Sequence, residues 1–165
     1  MLQIRPMTQS DWPRVADIFQ QGIDAGNATM HVSVPSYEAW DVSRERVPRL
    51  VAEIDGRVMG WTALSAVSAR PCYAGVKELA IYVDAGARGR GVGRALLEAL
   101  ILESERLGIW MLEAHIFEEN EASRILHERC GFRMVGCRER IGFDGRGVWH
   151  NTLLMERRSR TIGIN

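Results

Sequence analysis

Glycine and arginine residues alternate in one short stretch of this chain, directly before a strongly apolar helical pattern, in VDAGARGRGVGRALLEAL (residues 83–100). A helix that begins at such a turn leaves several main-chain N–H groups without partners, and its dipole adds positive charge there. Because glycine has no side chain, an anion can approach these groups closely, while arginines can bind outlying phosphates. The stretch predicts a site for a pyrophosphate-bearing ligand at Arg88, Gly89, Arg90, Gly91, Val92, Gly93 and Arg94.

Three known motifs combine a glycine turn with a helix start, and two of them do not fit this sequence. The P-loop needs G-x-x-x-x-G-K-[ST], but neither this spacing nor the Lys-Ser/Thr pair occurs in the turn. The dinucleotide fingerprint G-x-G-x-x-G matches Gly89 and Gly91 but meets Arg94 where the third glycine belongs. The remaining pattern, R/Q-x-x-G-x-G/A, is satisfied by Arg88, Gly91 and Gly93.

The elements that must position this turn alternate between strands and helices. Alternating or apolar runs predict strands at LQIRP, in a hairpin with an Asp55-Gly56 turn, at KELAIYVD, at WMLEAHIF, and at residues 134–143 and 148–157. Helical spacing predicts helices after Thr8, around residues 37–47, from the glycine turn to Gly108, and from an Asn120 cap to Gly131. This order predicts a mixed α/β layer with a central sheet.

Length and composition narrow the class of protein. The chain has 165 residues, which favours one domain, here residues 1–157 with a loosely held tail at 158–165. Lys+Arg and Asp+Glu both number 21, so no basic field attracts nucleic acid or an anionic membrane. No apolar span is long enough for a membrane helix, and the N-terminus lacks a signal peptide pattern. The three cysteines lack disulfide or zinc spacing, so we expect a cytoplasmic protein without a metal.

The turn VDAGARGRGVGRALL resembles the acetyl-coenzyme A (acetyl-CoA) pyrophosphate loop of the Gcn5-related N-acetyltransferase (GNAT) superfamily. The resemblance covers nearly the whole chain and implies the GNAT fold, a mostly antiparallel mixed sheet of about six to seven strands flanked by about four helices. It implies acetyl-CoA as the acetyl donor. The cofactor would pair with the strand at Ile81, Tyr82 and Val83 before reaching the glycine turn, and Asn120 and Ser123 of NEASRILHERCGF would contact its pantetheine arm.

The segment RPCYAGVKELAIYV, with the closing GFDGRGVWHN, resembles the phosphinothricin and methionine sulfoximine acetyltransferase branch of that superfamily. By this resemblance Arg70 and Tyr73 orient an acceptor carboxylate or phosphinate, a task that a bidentate guanidinium suits. Trp149 and His150 would line the acceptor pocket, reaching across the interface of a homodimer. A water-facing Arg70, a packed Tyr73 and a packed Trp149 remain alternative interpretations.

The early pocket stretch NATMHVSVPSYEAW follows this branch only loosely, with Met30-His31 where an aromatic-acidic pair is common. His31 and His115 show no partner spacing, and both are interpreted as structural. Substrate identity is therefore the least defined part of the resemblance.

Acetyl transfer to an amine requires a neutral amine, because an ammonium group has no lone pair. Glu78, directly or through a water, is the candidate base, and a free N–H of the Tyr82 strand could stabilise the oxyanion. His127 stands where most relatives place a tyrosine, and an imidazole can protonate the departing thiolate near neutral pH. The alternatives are a surface Glu78 paired with Lys77 or an arginine, and a packing role for His127.

The sequence thus predicts an acetyl-CoA-dependent N-acetyltransferase that acts by direct attack in a ternary complex. The expected acceptor is a small amino-acid-like amine such as phosphinothricin, methionine sulfoximine or an L-amino acid. Two alternatives stay open: acetylation of a protein or peptide on the same fold, and a non-catalytic acyl-CoA sensor.

Overall fold

A computed structural model of residues 1–165 contains one seven-stranded mixed sheet. Its strand order is β1-β2-β3-β4-β5-β7-β6, and only β4 and β5 run parallel. The strands are β1 Leu2–Pro6, β2 Arg49–Ile54, β3 Arg57–Ala66, β4 Val76–Val83, β5 Met111–Phe117, β6 Arg133–Phe143 and β7 Trp149–Arg158. This mixed, mostly antiparallel sheet confirms the predicted fold class.

Four α-helices cover the sheet: α1 Trp12–Ala25, α2 Tyr37–Ser43, α3 Val92–Arg106 and α4 Glu121–Arg129. The start of α4 and the end of α3 lie where the local chemistry predicts. Asn120 caps α4, its side chain accepting the Ser123 N–H at 3.2 Å. Gly108, with φ of 77°, follows the end of α3, as a helix-terminating glycine should. No helix has both the length and the apolar character needed to cross a membrane.

Residues on opposite faces of the sheet pack into two separate cores, because side chains alternate along a strand. On one face, α3 places Leu96, Leu97 and Leu100 against the sheet. On the other face, α1 and α2 cover an aromatic cluster that includes Phe19 and Trp61. Strand β4 contributes to both cores, so its position is fixed from two sides.

The β2–β3 hairpin turns at Asp55 and Gly56, whose φ angles of 49° and 79° fit the predicted type I′ geometry. The other predicted elements differ from the structure mainly at their ends. Helix α2 stops at Ser43 instead of Val47. Strand β7 reaches Arg158, one residue beyond the predicted domain end.

The C-terminal segment is held more firmly than the sequence suggests. Ser159 is buried and its hydroxyl donates to Glu105 at 2.9 Å, while the guanidinium of Arg158 donates to the carbonyl of Ile162 at 2.7 Å. The expectation of a loosely held tail is therefore wrong for these residues. Its physical basis was composition alone, which does not reveal hydrogen bonds to a distant helix.

Candidate active site

The site lies where the central sheet opens. Strands β4 and β5 are paired only over three residues each, from Val76 to Glu78 and from Met111 to Glu113. Beyond this point the two strands separate, although β4 stays paired with β3 on its other side as far as Val83. The opening forms a cavity of about 550 Å³, a volume that is typical of small-ligand sites.

The floor of this opening carries main-chain groups of β4 without a strand partner. The Asp84 N–H donates to the carbonyl of Met59, a residue of β3, at 2.8 Å. In an antiparallel ladder, the main-chain N–H and C=O groups of every second residue face the same neighbouring strand. Tyr82 and Ala80 therefore direct their main-chain groups to β3. Ile81 and Val83 direct theirs to the open side, where an extended ligand could pair with them.

The predicted anion turn follows at the end of β4. Asp84 caps a 3-10 turn at residues 85–87 by accepting the Gly86 N–H at 2.8 Å, and α3 begins at Val92. Among residues 88–94, only Arg90 donates its main-chain N–H to an acceptor in the chain, the Ala87 carbonyl at 3.3 Å. The remaining amides are free at the positive end of a 15-residue helix.

The glycines of this turn have different physical roles. Gly89 and Gly91 have φ angles of 73° and 79°, and a Cβ atom on either would meet nothing within 4 Å. They permit the left-handed backbone and leave the amides open to a ligand. Gly93 instead allows close packing, because its Cβ would lie 3.1 Å from Leu126 of α4.

Arg88 and Arg90 are exposed and make no ion pair, so both guanidinium groups are free for phosphates. Arg94 is exposed as well, but its Nε donates to Glu98 at 2.7 Å along the same helix. The turn thus fits a diphosphate group through its amides and two of its three arginines.

Six of the predicted site residues meet in the cavity: Glu78, Ile81, Tyr82, Asn120, Ser123 and His127. Glu78 is partly buried and makes no hydrogen bond or ion pair in the chain, so the alternative of a structural pair with Lys77 or an arginine does not hold. The ammonium group of Lys77 pairs with Glu45 instead. Glu78 therefore has a carboxylate free to meet a substrate.

His127 is 1% exposed and packs edge-on against Phe132. Its Nδ1–H donates to the Ser123 carbonyl at 2.7 Å, which fixes the neutral tautomer with a lone pair on Nε2. Burial lowers the pKa of this ring, and Nε2 has no partner in the chain. A neutral ring whose free nitrogen is an acceptor does not fit the predicted role of proton donor to the thiolate.

Four predicted substrate residues lie outside the cavity lining. Arg70 and Tyr73 are exposed at a 3-10 turn, where the guanidinium stacks 5.4 Å from the tyrosine ring. Trp149 is 57% exposed and packs on Phe143. Within one chain, none of these three side chains lines the cavity.

His150 is the fourth, and it is buried beside the site instead of lining it. Its Nδ1 lies 2.6 Å from a Glu119 oxygen, and its Nε2 lies 3.0 Å from an Asp144 oxygen. The ring stacks on Phe117 at 4.1 Å, and Phe117 does line the cavity. His150 therefore supports the wall of the site within the chain.

The structure adds residues that the sequence did not assign. Both histidines interpreted as structural, His31 and His115, line the cavity. Thr29 and Met30 join them from the loosely matching early stretch, so that stretch does contribute to the pocket. Arg44, which no motif singles out, lines the cavity from the segment that follows α2.

Comparison with known proteins agrees with this geometry. The Acetyltransferase (GNAT) family model matches residues 12–132. Phosphinothricin N-acetyltransferase of Alcaligenes faecalis is 32% identical over 161 residues, covering 93% of this chain and 81% of that protein. L-methionine sulfoximine/L-methionine sulfone acetyltransferase of Pseudomonas paraeruginosa is 31% identical, covering 93% and 92%.

Among solved structures, a phosphinothricin acetyltransferase from Sinorhizobium meliloti in complex with acetyl-CoA superposes with a TM-score of 0.85 at 26% identity. The alignment covers 99% of this chain and 96% of that one. These findings confirm the predicted superfamily and enzyme class, an acetyl-CoA-dependent N-acetyltransferase. The chain belongs to the Acetyltransferase (GNAT) family.

Proposed function

We propose that this protein transfers the acetyl group of acetyl-CoA to the amine of a small amino-acid-like acceptor, with Glu78 as general base. The observation that carries the proposal is the unpartnered Glu78 carboxylate in a cavity floored by free main-chain groups of β4. The phosphinothricin and methionine sulfoximine acetyltransferases that it resembles act on acceptors of this kind.

The donor would be held mainly by main-chain atoms. Free amides between Arg88 and Arg94 suit its diphosphate, and the open side of β4 suits the amides of its pantetheine arm. Asn120 supports the same placement, because its side-chain oxygen caps α4 while its NH₂ group makes no bond in the chain. This group can donate to a pantetheine carbonyl.

The chain's own residues would then supply the chemistry. Glu78 accepts the proton that the acceptor amine loses, directly or through a water. An amide of Ile81 or Val83 faces the opening and can stabilise the negative charge that builds on the thioester oxygen. His127 is a lining residue whose buried Nε2 has no partner in the chain, so its role would be to support the donor, and solvent would protonate the departing sulfur.

The proposed assembly is a homodimer. Every residue of the edge strand β6 except Gly142 is exposed. Its apolar side chains include Met134, Val135, Ile141 and Phe143, and Trp149 of β7 is exposed beside them. Apolar groups on an open sheet edge favour pairing with another strand. Sedimentation equilibrium should give twice the 18.6 kDa chain mass, and a monomer at all concentrations would exclude the dimer.

The function is tested by a thiol-release screen with acetyl-CoA against phosphinothricin, methionine sulfoximine, L-amino acids, polyamines and short peptides. We expect release with the amino-acid-like amines. Release with peptides alone would favour protein acetylation. Stabilisation by acetyl-CoA without release from any amine would identify a sensor and refute the enzyme.

A further inference from the structure

Arg44 differs from the five other arginines that are partly buried. Each of the others pairs with a carboxylate, namely Arg5 with Asp11, Arg14 with Asp84, Arg49 with Asp41, Arg124 with Glu128 and Arg157 with Glu105. The guanidinium of Arg44 makes no ion pair and no hydrogen bond in the chain, and its Nε is fully buried without a partner. Arg44 lines the same cavity as Glu78.

The carboxylates nearest to Arg44 in sequence are already bound to other cations. Asp41 pairs with Arg49, and Glu45 pairs with Lys77. The Arg49 guanidinium also donates to the Arg44 carbonyl at 3.1 Å, which ties down the main chain at this position. Arg44 is thus held in place by its backbone while its charged end is left without a counter-ion.

A buried charge without a partner is costly, and natural structures rarely keep one unless it meets a ligand. Burial lowers the pKa of Arg44, an effect that the nearby Tyr82 and Glu78 oppose, although Arg44 forms no ion pair with Glu78. Burial and then the charge of Arg44 lower the pKa of His31, which also lines the cavity. The positive charge is therefore directed to the space where an acceptor would lie.

We propose that Arg44 binds the acid group of the acceptor, a carboxylate or a phosphinate, and thereby selects amino-acid-like amines over simple amines. This inference rests on the proposed function. An acceptor of this class carries an amine and an oxyanion, and the cavity offers a base at Glu78 and a cation at Arg44. A guanidinium binds a planar or tetrahedral oxyanion through two parallel N–H groups, which also fixes its orientation.

The same geometry explains how the site would reject a neutral analogue. An acceptor that lacks the acid group leaves a partly buried guanidinium unpaired, and such mismatches discriminate more strongly than a missing apolar contact. Arg70, the residue that the sequence points to for this task, is exposed and stacked on Tyr73 outside the cavity. The structure therefore favours Arg44 over Arg70 as the residue that binds the acid group.

The test compares Arg44→Gln with the wild type, using methionine sulfone and its carboxamide, and phosphinothricin and 2-aminobutyrate, as acceptors. For the acceptor that carries the group bound by Arg44, Arg44→Gln should lower kcat/KM by about 10- to 100-fold, chiefly through KM, and it should change the paired acceptor that lacks this group little. Selective loss with methionine sulfone over its carboxamide identifies the carboxylate as the bound group. Selective loss with phosphinothricin over 2-aminobutyrate identifies the phosphinate.

Arg46→Gln removes the same charge two residues along the loop from an exposed side chain, and it should behave as wild type. If neither pair of acceptors shows a selective loss in Arg44→Gln, or if the selective loss appears in Arg70→Gln instead, the inference is overturned. Calorimetric titration of methionine sulfone into the CoA-loaded protein gives a readout without turnover. If no amine releases thiol, the proposed function fails, whereas weaker acid binding in Arg44→Gln would still support Arg44.

Discussion

The two ends of strand β4 hold opposite kinds of binding group. At its C-terminal end, beyond Val83, the turn between Arg88 and Arg94 offers main-chain amides, which do not depend on side-chain identity. Toward its N-terminal end, Glu78 lines the same cavity as Arg44 and His31, which come from two other segments of the chain. An enzyme family can keep the turn at the C-terminal end of β4 constant and vary the side chains near its N-terminal end. The acetyl donor is common to all reactions of such a family, whereas the acceptor differs.

The largest effect is expected from Glu78→Gln, which tests whether the N-terminal end performs the chemistry. Loss of the proton acceptor should lower kcat by about 10²- to 10⁴-fold and leave the Kd of acetyl-CoA nearly unchanged. Steady-state kinetics and calorimetry measure the two quantities. The matched control is Glu113→Gln, the register partner of Glu78 on β5, which does not line the cavity and should change kcat little. Equal losses in both variants would remove Glu78 from the mechanism.

A smaller effect is expected at the other end, from Gly91→Ala. Its control is Gly56→Ala in the β2–β3 hairpin, because both glycines have φ of 79° and open space around the added Cβ. Both variants should lose about 1 kcal/mol of unfolding free energy through the same backbone strain. Only Gly91→Ala should raise the Kd of acetyl-CoA, by about 10-fold. An unchanged Kd in Gly91→Ala would contradict the phosphate-binding role of the turn.

The smallest effect on turnover is expected from His127→Gln, below about 10-fold, since the proposed mechanism assigns protonation of the thiolate to solvent. The variant should instead change how the stability of the protein depends on pH. A lowered folded pKa means that the unfolded chain binds the proton first, so stability falls as pH drops below about 6.5. Denaturant unfolding at pH 7.5 and 5.5 should show a smaller difference in His127→Gln than in wild type. An equal difference would show that His127 does not titrate as described.

The sequence predicts the local geometry of the turn after β4, but it does not identify the side chains that line the cavity near Glu78. The turn needs only glycines, arginines and a following helix, all of which are local, so Gly89 and Gly91 could be assigned from spacing. Arg70, Tyr73, Trp149 and His150 were placed in the acceptor pocket because of neighbouring motifs, but their positions depend on where a loop and the β6–β7 end project.

Arg44 and His127 show two other limits of sequence-based prediction. The significance of Arg44 is that it has no partner, which depends on Asp41 binding Arg49 and on Glu45 binding Lys77. The position of His127 was found by spacing, yet its protonation follows from burial and from the Ser123 carbonyl. Neither the pairing nor the burial is encoded in a short motif.

The early separation of β4 from β5 gives this sheet an unpaired strand edge in its interior. Because that edge consists of backbone atoms, a substitution at Ile81 or Val83 changes only the side chain, which projects from a face of the sheet and not from the edge. Proline is the one residue that lacks the N–H itself. The proposed binding of the acyl carrier through this edge would thus tolerate most substitutions, and new acceptor preferences could arise around it without a change of fold.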